Sequence, residues 1–190
     1  MLNRLKWWLY ADEFYADPWQ HKIFPQHHWL LKLITSHRPK TILEVGCGFG
    51  RNLKFLLDHG IKPQQLTGVD FSAKLLKRVS LPQIKLYHAS AQNLPFPDHQ
   101  FDLSFTHGLL MHLPDPIPAL RELIRVSRNR LIVIEETRSR SRQLNSFTWA
   151  HDYPKLFRSL PVKINTTHHN KYNISGYEIL LSRRIQSRQA

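Results

Sequence analysis

The chain has 190 residues, 42% of them hydrophobic, which suits one domain with a proper core. Its single cysteine excludes an internal disulfide framework and fits a reducing, cytoplasmic setting. A net charge of +13 points to an anionic partner such as RNA, an acidic lipid surface or a phosphorylated small molecule, or to simple solubility. No apolar run reaches the ~18 residues of a transmembrane helix. Met1–Tyr10, with Arg4 and Lys6, lacks the apolar core and cleavage site of a signal peptide.

Residues Met1–Asp17 are rich in aromatics (Trp7, Trp8, Tyr10, Phe14, Tyr15), with few helix signals beyond a first turn. Three readings are open for them: a lid over a ligand cleft, a packed surface segment, or a membrane-interface contact. Pro18 suits the first turn of a helix. Ile23, Trp29, Leu30, Leu33 and Ile34 then give an interrupted apolar face up to Ser36, and Pro39 ends the segment.

From there strands and helices alternate. Strand Thr41–Val45 leads to helix Arg51–His59, and strand Gln65–Val69 leads to Asp70 and helix Ser72–Val79. Strand Ile84–His88 is followed by a loop, Ala89–Gln100, then by strand Phe101–Thr106 and helix Asp115–Ser127. Strand Arg130–Ile134 is a continuous apolar run, as expected where both faces of a parallel sheet are covered. A helix follows around Tyr153–Leu160. Two strand-like runs, Val162–Thr167 and Tyr177–Arg184, then form a hairpin whose connection holds Asn173 and Gly176. The sum is an α/β fold: a doubly wound, seven-stranded, mostly parallel sheet closed by a C-terminal antiparallel hairpin, in a single domain spanning 1–190.

The stretch Thr41–Gly50, T-I-L-E-V-G-C-G-F-G, is the strongest local signal. A strand, a glycine loop and a helix let backbone approach a ligand closely and turn a helix N-terminus toward its negative group. A dinucleotide fingerprint would place its third glycine at position 51, where Arg51 stands. A P-loop needs Gly-Lys-Ser/Thr, and Gly50-Arg51-Asn52 offers neither the lysine nor the hydroxyl. Asp70 ends the next strand, where a carboxylate can accept hydrogen bonds from both ribose hydroxyls.

The pattern E-x-G-x-G-x-G at Glu44–Gly50 resembles the first motif of the class I S-adenosylmethionine-dependent methyltransferases. Ala89–Phe96 resembles that family's loop after the third strand, and Phe101–Asp115 its fourth-strand motif; the likeness runs over about Ile42–Glu135. It implies the Rossmann-like methyltransferase fold and S-adenosyl-L-methionine as cofactor. It also implies a cap (1–38), a cofactor-binding core (39–136) and an acceptor-side segment with the terminal hairpin (137–190). By the same resemblance Gly46, Gly48 and Gly50 line the methionine portion, Glu44 orients the loop, Asp70 holds the ribose and Phe71 lies beside the adenine. Ser90, Ala91 and Gln92 meet the adenine edge, with Ser90 where an aspartate is frequent, and Thr106 and His107 face the sulfonium.

The donor is already activated, so the protein mainly aligns the acceptor, and a hydroxyl or amine acceptor needs a base. His107, His112 and His151 are the candidates. Glu135 and Glu136 can orient an amine or cap their strand. Arg138, Arg140 and Arg142 form an anion clamp or a solvated loop. The twelve histidines carry no metal-binding spacing, and His168 and His169, neighbours on a strand, point apart, so no metal is expected. A small-molecule acceptor, anionic if the arginines clamp it, is the leading expectation. RNA is the alternative that the charge supports, against the absence of an N/D-P-P-Y motif at Thr106–Leu109, and a non-catalytic cofactor-binding partner is a third.

Overall fold

The computed structural model describes residues 2–145, 147–169 and 173–181. Five strands and the terminal hairpin make one seven-stranded sheet. These are β1 (Ile42–Val45), β2 (Leu66–Asp70), β3 (Lys85–His88), β4 (Phe101–His107), β5 (Ser127–Glu136), β8 (Lys163–His169) and β9 (Ile174–Leu180), in the spatial order 3-2-1-4-5-9-8. The β1–β2, β2–β3, β1–β4 and β4–β5 pairs are parallel, and β9 runs antiparallel to both β5 and β8. The order reverses beside β1, so β1 and β4 diverge at their carboxyl ends and open a crevice there.

Alternation along the strands builds a core on each face. Leu43, Val45, Leu131 and Val133 meet α5 (Ile117–Val126) and α6 (Tyr153–Arg158) through Leu120, Leu123 and Phe157. Ile42, Phe105, Ile132 and Ile134 meet α2 (Pro25–His37) and α3 (Arg51–Asp58) through Leu30, Ile34, Leu53 and Leu56. Glu44, between two residues of the first face, therefore points into the second.

Several expected elements differ. Met1–Asp17 contains a helix, α1 (Leu2–Ala16), where only a first turn was legible. Trp7, Ala11 and Phe14 share its inner side, and Asp12 pairs with Lys74 (3.1 Å) and Arg78 (2.9 Å), so tertiary contacts rather than local signals hold it. The helix expected from Pro18 to Ser36 is broken: Pro18–His21 is a 3₁₀ turn and α2 begins at Pro25. A proline inside a continuous helix lacks the amide and clashes with the preceding turn, which accounts for the restart. The helix expected over Ser72–Val79 is only α4 (Ala73–Leu76). The arginine-rich segment forms a small hairpin, β6 (Arg142–Asn145) with β7 (Thr148–Ala150), that the sequence did not announce.

Gly176 lies inside β9, not in the connection. A Cβ there would run into the Trp29 ring, so glycine lets α2 sit on the strand. The end of the expected last strand, 182–184, falls outside the described residues.

Candidate functional site

The crevice at the carboxyl edge is a cleft of about 700 Å³ between the β1, β2 and β4 loops, with α1 along its rim. Gly46, Gly48 and Gly50 all adopt left-handed φ (+82°, +54° and +86°), which a side chain would strain. At Gly46 a Cβ would also stand 2.8 Å from Leu109 Cβ, so the first and fourth loops close on each other only because residue 46 has none. Gly46 and Cys47 donate to the Val69 carbonyl at 2.7 and 3.0 Å.

Asp70 fixes this loop from the side. Its buried carboxylate accepts from Gly48 N–H (2.8 Å) and Ser72 N–H (2.7 Å) while still lining the cleft. Burial raises its pKa, and the two amide bonds oppose that rise. Phe71, Ser90, Ala91 and Gln92 line the same side. Arg125 holds the 90s loop from behind: its guanidinium donates to the Phe96 (2.7 Å) and Leu94 (3.1 Å) carbonyls and pairs with Glu122. Nothing in the sequence singles Arg125 out.

The cleft continues into a polar cluster that the sequence only partly signalled. Asn52 Nδ2 donates to Glu44 Oε1 at 2.6 Å, both groups being buried. Burial lifts Glu44 from 4.5 to about 8, against the opposing pull of Asn52 and the Arg51 charge. Arg51 Nη1 donates to the Gln20 carbonyl at 3.1 Å. His27, from α2, accepts the Phe24 N–H on Nδ1 (3.0 Å) and sits 4.7 Å, ring to ring, from His107. Burial, then the Arg51 cation, lowers His27 to about 4 and holds His107 well below the usual imidazole range. Both rings are therefore neutral near pH 7. His107 Nδ1, Arg51 Nε and Glu44 Oε2 are buried without a hydrogen-bond partner among the described residues, while the Asn52 side chain also interacts with the His27 ring. Buried polar atoms left in this state call for a polar ligand, and a glycine cradle beside them fits a nucleoside with a charged tail.

The other histidines have settled partners. His112 lines the cleft, donates from Nδ1 to the Phe147 carbonyl (2.8 Å), and meets the Trp7 ring edge-on at 4.6 Å. His151 is buried, does not line the cleft, and donates from Nε2 to the Leu113 carbonyl at 2.9 Å. Burial lowers the pKa of both. Thr106, Gly50 and Glu44 also lie outside the lining, with Thr106 fully buried.

Glu135 takes the strand-capping role. Its Oε1 accepts from Leu109 (3.0 Å) and Leu110 (2.9 Å) N–H and its Oε2 from Met111 N–H (3.1 Å), clamping the turn after β4. Glu136 pairs with Arg138 at 2.8 Å. Arg140 and Arg142 are exposed, away from the lining.

The remaining wall is aromatic. Trp7 packs edge-on against Phe71 (6.3 Å), Phe14 (5.5 Å) and Phe147 (6.4 Å), and Phe147 stacks on Tyr10 at 5.4 Å. The i, i+4, i+7 spacing of Trp7, Ala11 and Phe14 is the signal that could have found this helix face. Among the described residues, no group of three or more His, Cys, Asp or Glu is placed to hold a metal ion, and no helix is long and apolar enough to cross a membrane.

The family model described as a methyltransferase domain matches residues 43–133, the segment that supplies the glycine loop, Asp70, the 90s loop and His107. The demethylmenaquinone methyltransferase of Staphylococcus epidermidis is 34% identical over 112 residues, covering 56% of this chain and 46% of the relative. That of Bacillus licheniformis is 35% identical over 112 residues, covering 54% and 48%. The chain thus spans about half the length of the curated relatives it matches. Among solved structures, the magnesium protoporphyrin IX methyltransferase of Synechocystis PCC 6803 with bound S-adenosylmethionine superposes with a TM-score of 0.72 at 14% identity, covering 95% of this chain and 97% of that one. A methyltransferase from Aquifex aeolicus gives 0.67 at 15% identity, covering 90% and 98%. These structures share the fold. Residues 43–133 are thus similar to a methyltransferase domain, within a chain that has the fold of the S-adenosylmethionine-bound structure.

Proposed function

We propose that this chain methylates a small, largely apolar, ring-bearing acceptor held against the aromatic wall of the cleft. The observation that carries the reading is that wall. Trp7, buried at the cleft, presents its ring beside Phe71 and His112, an arrangement that favours a flat, apolar acceptor. The relatives, demethylmenaquinone methyltransferases by name, agree with that class.

When bound, S-adenosylmethionine supplies a methyl group on a sulfonium that needs no further activation. The chain's residues then position and protect. Asp70 and the Gly46–Gly50 backbone hold the ribose and the methionine stem, with Glu44 bracing the loop through Asn52. Phe71, Ser90, Ala91 and Gln92 frame the adenine, and the partnerless Arg51 Nε faces the anionic tail. His107, neutral and lining the cleft with Nδ1 unpartnered, would take the acceptor's proton as the methyl group passes to the acceptor and its bond to the sulfonium sulfur breaks, leaving the neutral thioether. His112 shapes the wall, and His151 and Thr106 support the loop and strand behind it. The aromatic helix α1 closes the cleft as a lid and excludes water.

The test is a methyl-transfer screen with labelled S-adenosylmethionine over hydroxylated aromatic and quinol-type acceptors, beside calorimetry of cofactor binding. Labelled product from such acceptors, lost in His107→Ala with cofactor affinity retained, supports the reading. Cofactor binding with transfer only to RNA would overturn it.

A further inference from the structure

We propose that the outer face of α1 and the turn after it dock this chain on an anionic lipid surface. The inference goes beyond the choice of acceptor. Helix α1 carries exposed apolar side chains as well as buried ones, beside the exposed acids Asp12 and Glu13. Trp7, Ala11 and Phe14 face the molecule, yet Trp8 is 54% exposed and Leu9 61% exposed on the other side. In the following turn Trp19 (47%) and Ile23 (45%) are exposed as well. Of the six large hydrophobic side chains most exposed among the described residues, these four fall between positions 8 and 23. The turn is tied back to α1, with the His21 ring hydrogen-bonded to the Tyr15 carbonyl (2.6 Å) and packed 5.2 Å from the Tyr15 ring. A clustered exposed apolar surface of this kind marks a contact with something apolar.

The charges select the partner. Each exposed tryptophan carries a lysine: Lys74 Nζ lies 4.2 Å above the Trp8 ring and Lys22 Nζ 5.2 Å from the Trp19 ring. Lys22, Lys74 and Arg78 stand beside Asp12, Glu13 and Asp17 on this surface, so its own charge is balanced and the pull toward anions comes from the chain as a whole. With a chain charge of +13, the surface as a whole attracts anions. Tryptophan paired with lysine suits the headgroup level of a bilayer, with the ring in the acyl boundary and the ammonium among the phosphates. Aliphatic Leu9 and Ile23 have an acyl phase to enter but nothing to offer a nucleic acid base, which favours lipid over RNA. No described helix is long and apolar enough to cross a membrane, so the contact is interfacial. The cleft wall, Trp7 and Phe14, lies on the opposite side of the same helix, about one helix diameter (~10 Å) from the lipid. An apolar acceptor then has a short route from bilayer to site.

The test is cosedimentation of the full chain with vesicles of phosphatidylcholine alone and of phosphatidylcholine mixed with phosphatidylglycerol, with tryptophan emission as a second readout. The expected result is binding and a blue shift on the mixed vesicles, weakened by salt. Trp8→Ser with Leu9→Ser should lower the partition coefficient by about tenfold while S-adenosylmethionine affinity by calorimetry is unchanged. Trp19→Ser with Ile23→Ser gives an independent second variant. Lys22→Gln with Lys74→Gln should lower binding a few-fold on the mixed vesicles only. No binding to anionic vesicles, or binding that both apolar variants retain, overturns the proposal. So does single-stranded RNA that displaces the vesicles, or self-association in light scattering that the apolar variants abolish. Failure on vesicles with methyl transfer intact would leave the proposed function standing, because the two measurements are separate.

Discussion

Glu44 offers the sharpest test of the site's electrostatics. It is fully buried, has one donor on Oε1 and none on Oε2, and titrates near 8 instead of 4.5. A folded-state pKa above the unfolded value means that the group's contribution to stability is intact below about 4.5 and is lost as pH rises through about 8. At ~1.4 kcal/mol per unit, the shift corresponds to about 3–5 kcal/mol of differential stability across that window. Glu44→Gln keeps the shape and an acceptor for Asn52 but cannot ionise. Urea unfolding from about pH 5 to about pH 9 should show the wild type losing about 3–5 kcal/mol relative to Glu44→Gln, most of it below about pH 7, with the curve levelling off above about pH 8. The comparison cancels the other titrating groups common to both proteins. Parallel pH curves would refute the reasoning, because they would mean that Glu44 is ionised throughout and that Arg51 compensates its burial.

Three further outcomes follow from contacts already described. Asp70→Ala removes the acceptor of two loop amides and the proposed ribose partner; S-adenosylmethionine affinity by calorimetry should weaken by about 1–3 kcal/mol. Gly46→Ala meets both a φ of +82° and the Leu109 side chain, so it should cost about 1–3 kcal/mol in urea unfolding and weaken cofactor binding with it. Trp7→Ala should raise KM for an aromatic acceptor about tenfold and change cofactor affinity by less than about twofold, measured by steady-state kinetics and calorimetry.

How much of this was legible follows from where each signal resides. The parallel core and its order of elements were readable because every buried strand carries its own apolar run and every crossover its own helix pattern. Phe101–Thr106 and Arg130–Ile134 hold that information within six residues. The glycine loop was readable for the same reason, since left-handed φ is a demand on one residue at a time. Helix α1 left only the spacing of Trp7, Ala11 and Phe14 as a local signal, because the ion pairs that hold it run from Asp12 to Lys74 and Arg78, more than sixty positions along the chain. The β6–β7 hairpin is similar: its turn is held against Tyr10 and Trp7 by Phe147, which no local pattern announces.

The same distinction explains the site. Glu44 and Asp70 were legible as acids at strand ends, but their environments were not. One of them is pushed toward neutrality by burial, and the other keeps two amide donors that oppose the same push. Among the histidines, sequence offered three equal candidates, and only packing separates them. His112 and His151 spend a nitrogen on a backbone carbonyl, whereas His107 faces the cleft with Nδ1 unpartnered and with His27 and Arg51 behind it. Arg51 was visible only as the residue that spoils a dinucleotide fingerprint. In the fold it is a half-buried cation that lowers two imidazoles and opposes the upward shift of a carboxylic acid. A residue that departs from the fingerprint of one ligand class thus reinforces, after burial, the neutrality of two imidazoles that α2 and β4 bring together.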